Sequence, residues 1–378
     1  MSPVVSPEEF YGMLNGMGVG FYTGVPDSLL KQFCAYVTDV APRENHIIAA
    51  NEGCAVGLAA GYHIATGGIP LVYMQNSGLG NATNPLLSLA DELVYRIPMV
   101  LLIGWRGEPG VHDEPQHAKQ GRATCTLLEA MGIPYEVVSG DVEECTNALD
   151  RCRRHLETNG SPFAIVVRKG TFSEYVPIRK REETPYPLVR EEAIREVIGA
   201  MPDALFVSTT GMASRELYEL REARGEGHDR DFLTVGSMGH ASQIALGMAL
   251  SLPGTDIVCI DGDGAALMHM GGMSTIASQS PRNLCHVVIN NGVHDSVGGQ
   301  PTVSREVDLE GVARSLGYRT AVTVRTPGEI RDALTGSERP AFVQIMVRRG
   351  HRKDLGRPAT TPEENKRALM GRIREDSQ

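Results

Sequence analysis

Short apolar runs rich in β-branched residues alternate with stretches of helical length along nearly the whole chain. In the first half, runs expected to form strands cover residues 20–25, 46–50, 71–75, 100–105, 135–138 and 163–167. The helices expected before and between them cover residues 7–17, 28–37, 53–66, 83–91, 116–131 and 143–158. Regular alternation of strand and helix predicts a mostly parallel sheet with helices on both faces. The chain is therefore predicted to be an α/β protein.

The alternation stops at residues 169–189 and then resumes, which indicates two domains. The interrupting segment holds three prolines and a run of charged residues, a composition typical of an exposed linker. A second set of strands is expected at residues 205–208, 232–235, 257–260, 286–289, 320–324 and 341–347. Helices are expected at residues 190–200, 214–224, 241–252, 266–278, 309–316 and 327–334. We predict two doubly wound, mostly parallel-sheet domains, at residues 1–168 and 190–349.

A tail follows the second predicted domain at residues 350–378. Thr361, followed by Pro362 and by Glu364 three residues on, forms a capping box that predicts a final basic helix through Arg374. This helix is either a solvated end of the chain or an arm that closes over an anionic substrate. The sequence leaves both interpretations open.

Charge and composition exclude several classes of partner. The net charge of −10 argues against nucleic acid and against anionic membranes. Seven cysteines, an odd number without a C-x-x-C pair, suit a reducing compartment better than a disulfide framework. The N-terminus lacks the basic and apolar regions of a signal peptide, and no uncharged stretch of about 18 apolar residues occurs. We therefore expect a soluble, cytoplasmic protein.

Two neighbouring predicted strands end in oxygen-bearing side chains. The apolar run 257–260 breaks at Gly262, Asp263 and Gly264, and the run 286–289 ends in Asn290-Asn291-Gly292. Open α/β sheets bind their ligands at the carboxyl ends of the strands. Magnesium prefers oxygen ligands, glycines let the backbone approach a phosphate, and a helix start attracts anions. The pattern predicts a Mg²⁺ and diphosphate site with Asp263 and Asn291 as metal ligands.

Two known binding motifs share part of this pattern of glycine and aspartate. An EF-hand counted from Asp261 would place a glutamate at its twelfth position, where Gly272 stands. A dinucleotide fingerprint would need a third glycine, where Leu267 stands. Neither motif fits, and an ordinary turn at the end of a strand is the remaining alternative.

The spacing of GDG and NN resembles the signature of thiamine diphosphate (ThDP) enzymes. The strings TGVPDS (23–28), YMQNSGLGN (73–81), RGEPGVHDEPQH (106–117) and NNGVHDSVGGQPT (290–302) resemble the phosphonopyruvate decarboxylases within the ThDP-dependent 2-keto acid decarboxylase family. Sulfopyruvate decarboxylases share several of these strings. The resemblance covers nearly the whole chain, and it implies a pyrimidine-binding domain followed by a diphosphate-binding domain. It also implies a homodimer or higher homo-oligomer with active sites between subunits.

The resemblance assigns cofactor-binding roles to particular residues. Glu52 would bind a pyrimidine nitrogen and help to remove the thiazolium proton, although a glutamate at a helix start is more often a simple dipole partner. Met238 would separate the two cofactor rings, unless it is core filler, and the Gly236 carbonyl would receive the aminopyrimidine. The Val293 carbonyl is expected to be the third ligand of Mg²⁺. The residues expected around the diphosphate are Gly262, Asp263, Gly264, Ala265 and Asn291.

Further candidates for catalysis and substrate binding lie in loops at the predicted binding edge. His112 and His117 do not have the spacing of a helical zinc site. Their loop could supply proton donors and anion-binding side chains, and ordinary surface residues are an equally open interpretation. Candidates in or beside this loop are Arg106, His112, His117, Lys119 and Arg122. Others are Asp27 and Ser28 after the first strand, and His294, Asp295 and Ser296, which would lie near the reacting carbon.

The function implied by the resemblance is decarboxylation of a small anionic 2-keto acid with ThDP and Mg²⁺. With 3-phosphonopyruvate the products would be phosphonoacetaldehyde and CO2, a step of phosphonate biosynthesis. Sulfopyruvate is the alternative substrate. A ThDP-binding paralogue without catalytic activity is the alternative of another class. The residues expected to act in catalysis are Glu52, Asp27, His112, His117 and His294.

Overall fold

The computed structural model describes residues 4–178 and 184–376. The parts of the predicted first domain, linker and tail at residues 1–3, 179–183 and 377–378 lie outside this description. The described residues fall into two units, one made of 4–178 with 297–300 and the other of 184–296 with 301–376.

The first unit contains a six-stranded, fully parallel sheet in the order β2-β1-β3-β4-β6-β5. Its strands are β1 (Val19–Gly24), β2 (His46–Ile48), β3 (Ile69–Gln75), β4 (Val100–Gly104), β5 (Tyr135–Val138) and β6 (Phe163–Val167). Its helices are α1 (Pro7–Gly16), α2 (Lys31–Val40), α3 (Glu52–Thr66), α4 (Leu79–Pro85), α5 (Pro115–Ala130) and α6 (Val142–Asn159).

Helices cover both faces of this sheet, as the alternation of strand and helix predicts. On β4, Val100 and Leu102 join a core with α1, α2 and α6, whereas Leu101 and Ile103 join a second core with α3, α4 and α5. Alternate residues of a strand point to opposite faces, so a strand between two helical layers is apolar throughout. This is why β4 has no polar side chain.

The second unit contains another fully parallel sheet, in the order β11-β12-β10-β9-β7-β8. Its strands are β7 (Leu205–Ser208), β8 (Asp231–Leu233), β9 (Ile257–Gly262), β10 (Leu284–Asn290), β11 (Thr320–Val324) and β12 (Ala341–Met346). Its helices are α7 (Arg190–Ala200), α8 (Met212–Ala223), α9 (Ala241–Ser251), α10 (Asp263–Met268), α11 (Gly272–Gln279), α12 (Leu309–Leu316), α13 (Pro327–Gly336) and α14 (Pro362–Asp376).

The two sheets have the same topology. If the strands of the second unit are counted in chain order, its sheet runs 5-6-4-3-1-2, which is the reverse listing of the 2-1-3-4-6-5 order of the first. In both sheets the chain changes direction of winding between the first and third strands, the arrangement that defines a doubly wound fold. The predicted fold class is therefore confirmed.

Two predicted helices differ from those observed by an internal break or by more than three residues at one end. The expected helix at residues 266–278 is divided into α10 and α11, which are separated by a turn that leads into Gly271 and Gly272. Consecutive glycines favour this break because glycine lowers helix stability by about 1 kcal/mol relative to alanine. The expected helix at residues 83–91 begins earlier as α4, which contains Pro85 and continues into a π-helical turn.

The helix of the tail packs against the edge strand β8 of the second sheet. Asn365 of α14 accepts a hydrogen bond from Leu233 N at 3.0 Å and donates one to the carbonyl of Asp231 at 2.8 Å. Leu369 on the same helix is buried. Covering an edge strand in this way protects its backbone from pairing with other chains. α14 therefore packs on the second unit through Asn365 and Leu369, while most of its other residues are exposed.

None of the helices in the described part of the chain combines the length and the apolarity needed to cross a membrane.

Candidate active site

Asp263 and Asn291 leave the second sheet at the same edge. In the register of the two central strands Gly262 of β9 pairs with Ile289 of β10, so the residues that follow them emerge side by side. Asp263 is 3% exposed and Asn291 is 6% exposed. The structure thus brings together the two side chains that the sequence predicts as metal ligands.

Two hydroxyl groups hold the Asp263 carboxylate. Thr302 Oγ1 donates to Asp263 Oδ2 at 2.5 Å, and Ser304 Oγ lies 2.7 Å from the same oxygen. Burial raises the pKa of Asp263, while these hydroxyls and the backbone N–H of Asn291 act to lower it. Sequence reasoning missed both hydroxyl residues, although Thr302 closes the NNGVHDSVGGQPT string.

Asn291 has a different partner on each side of its amide. Its Nδ2 donates to Asp295 Oδ2 at 2.7 Å, and its Oδ1 accepts from the backbone N–H of Val293 at 3.1 Å. Gly292, between Asn291 and Val293, has φ +73°, a left-handed conformation that glycine adopts without strain. The loop therefore turns sharply at Gly292, directly after the asparagine.

His294 and Met238 lie against the glycine turn. A Cβ at Gly264 would come within 2.8 Å of His294 Cε1 and 3.4 Å of the Met238 methyl carbon, so a larger residue does not fit there. Burial lowers the pKa of His294 to about 4. Gly236 lies in the same loop as Met238, between β8 and α9.

These residues fit a hard cation with a phosphate ligand. The Asp263 and Asn291 side chains offer a carboxylate and an amide oxygen, which are donor types that Mg²⁺ takes. Gly264 leaves room that any Cβ would fill. The donor set and the small residues of the turn are thus compatible with a metal-bound diphosphate.

Glu52 is the first residue of α3 in the first unit. It is 5% exposed, and Asn51 caps the helix by accepting a hydrogen bond from Cys54 N at 2.8 Å. Asn81 Nδ2 donates to Glu52 Oε2 at 2.8 Å. A Cβ at Gly78 would lie 2.6 Å from Glu52 Cγ, so only glycine allows this approach. Sequence reasoning missed the contributions of Asn81 and Gly78, which lie in the YMQNSGLGN string.

Asp113 is the centre of a hydrogen-bonded cluster in the predicted substrate loop. Arg106 donates to it through Nε at 2.8 Å and Nη2 at 2.5 Å, and His117 Nδ1 lies 2.9 Å from Oδ1. The backbone N–H groups of Gly107 and Glu114 also donate to this carboxylate. Burial acts to raise the pKa of Asp113, but the hydrogen bonds from these donors outweigh it and hold the pKa far below its usual range. When His117 Nδ1 carries the proton and donates a hydrogen bond to Asp113, Nε2 is the nitrogen of the neutral ring that accepts.

Asp27 is a buried carboxyl group near this cluster. It is 1% exposed; its Oδ2 accepts from Leu29 N at 2.8 Å, and its Oδ1 has no hydrogen-bond partner among the described residues. Burial raises the pKa of Asp27, opposed by the Leu29 N–H and by the charge of Arg106. Arg106 Nη1 donates to Ser28 Oγ at 2.7 Å, which links the two loops.

The remaining candidates of the predicted substrate loop are not part of this cluster. His112, Lys119 and Arg122 are exposed on the loop and on α5. The structure therefore brings Asp27, Ser28, Arg106 and His117 together and leaves the other three at the surface.

Comparisons with known proteins agree with this geometry. Residues 8–126 match the N-terminal TPP binding domain of thiamine pyrophosphate enzymes, and residues 209–345 match the C-terminal TPP binding domain. The chain belongs to the family of thiamine pyrophosphate enzymes.

Individual relatives narrow the reaction class. The chain is 36% identical to phosphonopyruvate decarboxylase of Streptomyces viridochromogenes, over 93% of this chain and 90% of the relative. It is also 36% identical to the phosphonopyruvate decarboxylase of Streptomyces hygroscopicus, over 96% and 92%. Sulfopyruvate decarboxylase of Methanosarcina acetivorans is 27% identical over 96% and 97%. The chain is a ThDP-dependent decarboxylase, which confirms the predicted enzyme class.

Proposed function

We propose that this enzyme decarboxylates 3-phosphonopyruvate to phosphonoacetaldehyde and CO2, and so supplies phosphonate biosynthesis. The observation that carries the proposal is the 36% identity to two phosphonopyruvate decarboxylases, against 27% to a sulfopyruvate decarboxylase matched over a similar share of the chain. Sulfopyruvate remains the second candidate substrate because that relative is matched over 97% of its own length.

The reaction breaks one carbon–carbon bond and forms one carbon–hydrogen bond, so a proton must reach the carbon that loses CO2. ThDP, when bound, supplies a nucleophilic carbon and accepts the electron pair that CO2 leaves behind. Asp27 suits proton delivery because its burial favours the protonated form. His117 would exchange protons at Nε2, since Asp113 holds its Nδ1. His294 and His112 remain candidates for proton transfer from their loops.

Glu52 would bind a pyrimidine nitrogen of the cofactor and exchange a proton with it. The hydrogen bond from Asn81 supports this role, because a neutral amide fixes the carboxylate without neutralising it. Met238 and the Gly236 carbonyl would contact the cofactor rings.

Mg²⁺ would be held by Asp263, Asn291 and the Val293 carbonyl. The burial of both side chains and the hydroxyls on Asp263 support this assignment, since buried carboxylates are retained where they coordinate a cation or form hydrogen bonds. The backbone of Gly262, Gly264 and Ala265 would line the diphosphate.

Arg106 is the proposed contact of the substrate's acidic groups. A guanidinium carries five N–H donors, and Asp113 and Ser28 use three of those on Arg106. The two others would bind a phosphonate or carboxylate oxygen. The exposed Lys119 and Arg122 would add positive charge around the entrance.

We also infer a homodimer, or a higher homo-oligomer, in which Glu52 of one subunit and Asp263 of another serve one cofactor. Exposed small and apolar residues on α3 support an interface there, since Gly57, Leu58 and Ile64 are all accessible and Ile64 is 72% exposed. Gly57 and Ile64 are seven residues apart, which places them on one face of α3. Apolar surface exposed on one face of a helix typically marks a contact with another chain.

Kinetic measurements with three substrates test the proposed function. Purified enzyme with ThDP and Mg²⁺ is given phosphonopyruvate, sulfopyruvate or pyruvate, and CO2 release is followed. We expect kcat/KM for phosphonopyruvate to exceed that for pyruvate by at least about 10²-fold, because a substrate without the second anion leaves buried donors unpaired. Sulfopyruvate, with one fewer charge, should fall between them. Equal or faster turnover of sulfopyruvate would overturn the substrate assignment.

A further inference from the structure

Asp295 connects the Asn291 side chain to a buried arginine. Asn291 Nδ2 donates to Asp295 Oδ2 at 2.7 Å, and Arg190 Nη1 donates to the same oxygen at 3.3 Å. The backbone N–H of Gly350 is a third donor, at 3.2 Å. One carboxylate oxygen therefore joins the loop after β10 to the start of α7 and to the segment after β12.

Arg190 is itself fixed by Glu216 of α8. Its Nε and Nη2 donate to the two carboxylate oxygens of Glu216 at 2.7 and 2.9 Å, and the two side chains are only 9% and 2% exposed. A planar two-bond pair of this kind allows little reorientation. The Asp295 side chain is 11% exposed, and its position is therefore fixed by Arg190 of α7, which Glu216 of α8 holds in turn.

The orientation of the Asn291 amide decides whether it can bind a metal ion. The amide carries an oxygen and an NH2 group of similar size, and only the oxygen is a ligand for Mg²⁺. An ionised carboxylate is purely an acceptor, so Asp295 forces Nδ2 to face it. Oδ1 then lies on the opposite side of the amide, where the Val293 N–H donates to it at 3.1 Å.

We propose that Asp295 is a positioning residue that selects the metal-binding orientation of Asn291, with Arg190 and Glu216 as its support. The inference rests on the proposed role of Asn291 as a ligand of Mg²⁺. It differs from the expectation drawn from the sequence, which placed Asp295 beside the reacting carbon. In the structure its carboxylate faces Asn291 and Arg190, so it acts on the metal site through Asn291.

The direct test is the Mg²⁺ affinity of Asp295→Ala and Asp295→Asn, measured by calorimetric titration of Mg²⁺ into folded protein at saturating ThDP. We expect Asp295→Ala to weaken Mg²⁺ binding about 10–100-fold, the usual effect of losing a group that orients a metal ligand. Asp295→Asn should weaken it less, because its amide oxygen still accepts from Nδ2. At saturating Mg²⁺, kcat should return to within about threefold of wild type, as for a residue that acts only on binding. Unchanged Mg²⁺ affinity in Asp295→Ala, or a kcat that stays low at saturating Mg²⁺, would overturn the proposal.

A variant that needs no orientation keeps the proposal testable if Asp295→Ala does not fold. In Asn291→Asp both side-chain oxygens are possible metal ligands, so the further change Asp295→Asn should not weaken Mg²⁺ binding as it does in the wild-type background. An equal loss of Mg²⁺ affinity in both backgrounds would contradict a positioning role.

Two further variants separate the possible failures. Asp308→Ala removes the carboxylate that caps α12 by accepting from Gly311 N at 2.9 Å, so it should lower the melting temperature and leave Mg²⁺ affinity unchanged. Asn291→Ala should weaken Mg²⁺ binding. If Asn291→Ala has no effect, the proposed metal site itself is wrong. If Asn291→Ala weakens binding and Asp295→Ala does not, the metal site stands and the positioning role of Asp295 is wrong.

Discussion

Asn81 donates a hydrogen bond from its Nδ2 to Glu52 Oε2 at 2.8 Å, and so α4 fixes the orientation of the carboxylate at the start of α3. Gly78, one turn earlier than Asn81, makes this approach possible because a Cβ there would collide with the Glu52 side chain. Glu52 is therefore a buried and oriented carboxylate whose hydrogen-bond partner is neutral. That combination suits a group that exchanges a proton with a bound heterocycle.

The first prediction concerns the charge of Glu52. Glu52→Gln keeps the size of the side chain but cannot accept a proton, so kcat should fall by about 10²–10⁴-fold while ThDP binding is retained. Steady-state kinetics and calorimetry measure the two effects. Glu44→Gln, an exposed change eight residues earlier in the chain, is the matched control and should behave as wild type. A turnover near that of wild type in Glu52→Gln would refute the assignment.

The second prediction concerns the orientation that Asn81 imposes. Asn81→Ala should lower kcat about tenfold, since one lost hydrogen bond of about 1.4 kcal/mol corresponds to that factor. The loss should disappear when Asn81→Ala is made in the Glu52→Gln background, because the two residues then act through one contact. Additive losses in the double variant would show that Asn81 acts by another route.

The sequence predicts the ends of the strands and the motifs that follow them. It does not predict the side chains that orient the Glu52 and Asp263 carboxylates. The alternating apolar runs and the GDG and NN pattern were enough to predict the doubly wound fold and to place Asp263 beside Asn291. Thr302, Ser304 and Asn81 lie far along the chain from the carboxylates they contact, and ordinary polar residues carry no local signal of such partners. Asp113 shows the same limit. Its sequence suggested only a loop between two histidines, whereas packing makes it the acceptor of five hydrogen bonds.

The third prediction concerns the hydroxyls on Asp263. Ser304→Ala removes a group that lies 2.7 Å from Asp263 Oδ2, so it should weaken Mg²⁺ binding about 10–100-fold, as is usual for a partner of a metal ligand. ThDP affinity should fall with it, and removing Mg²⁺ with a chelator should abolish tight ThDP binding to the wild type. Ser251→Ala on α9, whose hydroxyl donates to a carbonyl of its own helix, is the control. Calorimetry that finds ThDP binding independent of Mg²⁺ would rule out the proposed bridge.

The fourth prediction concerns the pH dependence of stability. Burial raises the pKa of Asp27 in the folded state, so the folded state binds its proton more tightly than the unfolded state does. Its contribution to stability is therefore present at low pH and is lost as the pH rises above the unfolded pKa of about 3.9. Asp27→Asn does not ionise and avoids this loss. Its melting temperature should exceed that of wild type at pH 7, and the difference should shrink towards pH 4.

Melting curves from pH 4 to pH 8 measure this effect. The matched control is Ser251→Ala on α9, which removes no ionisable group, so its melting temperature should differ from that of wild type by the same amount at every pH. A melting temperature of Asp27→Asn that falls below that of wild type as the pH rises would contradict the argument. The same variant should lose activity, because the proton it carries cannot be delivered.

The last prediction concerns the proposed sharing of each active site by two subunits. Glu52→Gln subunits lack the proton-exchanging group and Asp263→Ala subunits lack a metal ligand, so each homo-oligomer should be nearly inactive. In a hybrid dimer one site carries both changes and the other carries neither, because the two residues of a site come from different subunits. Mixing and subunit exchange should therefore restore activity towards about one intact site per hybrid dimer, and mass spectrometry would give the hybrid fraction. A mixture of Glu52→Gln with itself under the same treatment is the control and should stay inactive. Absence of recovery in a mixture shown to contain hybrids would mean that both residues of a site come from one chain.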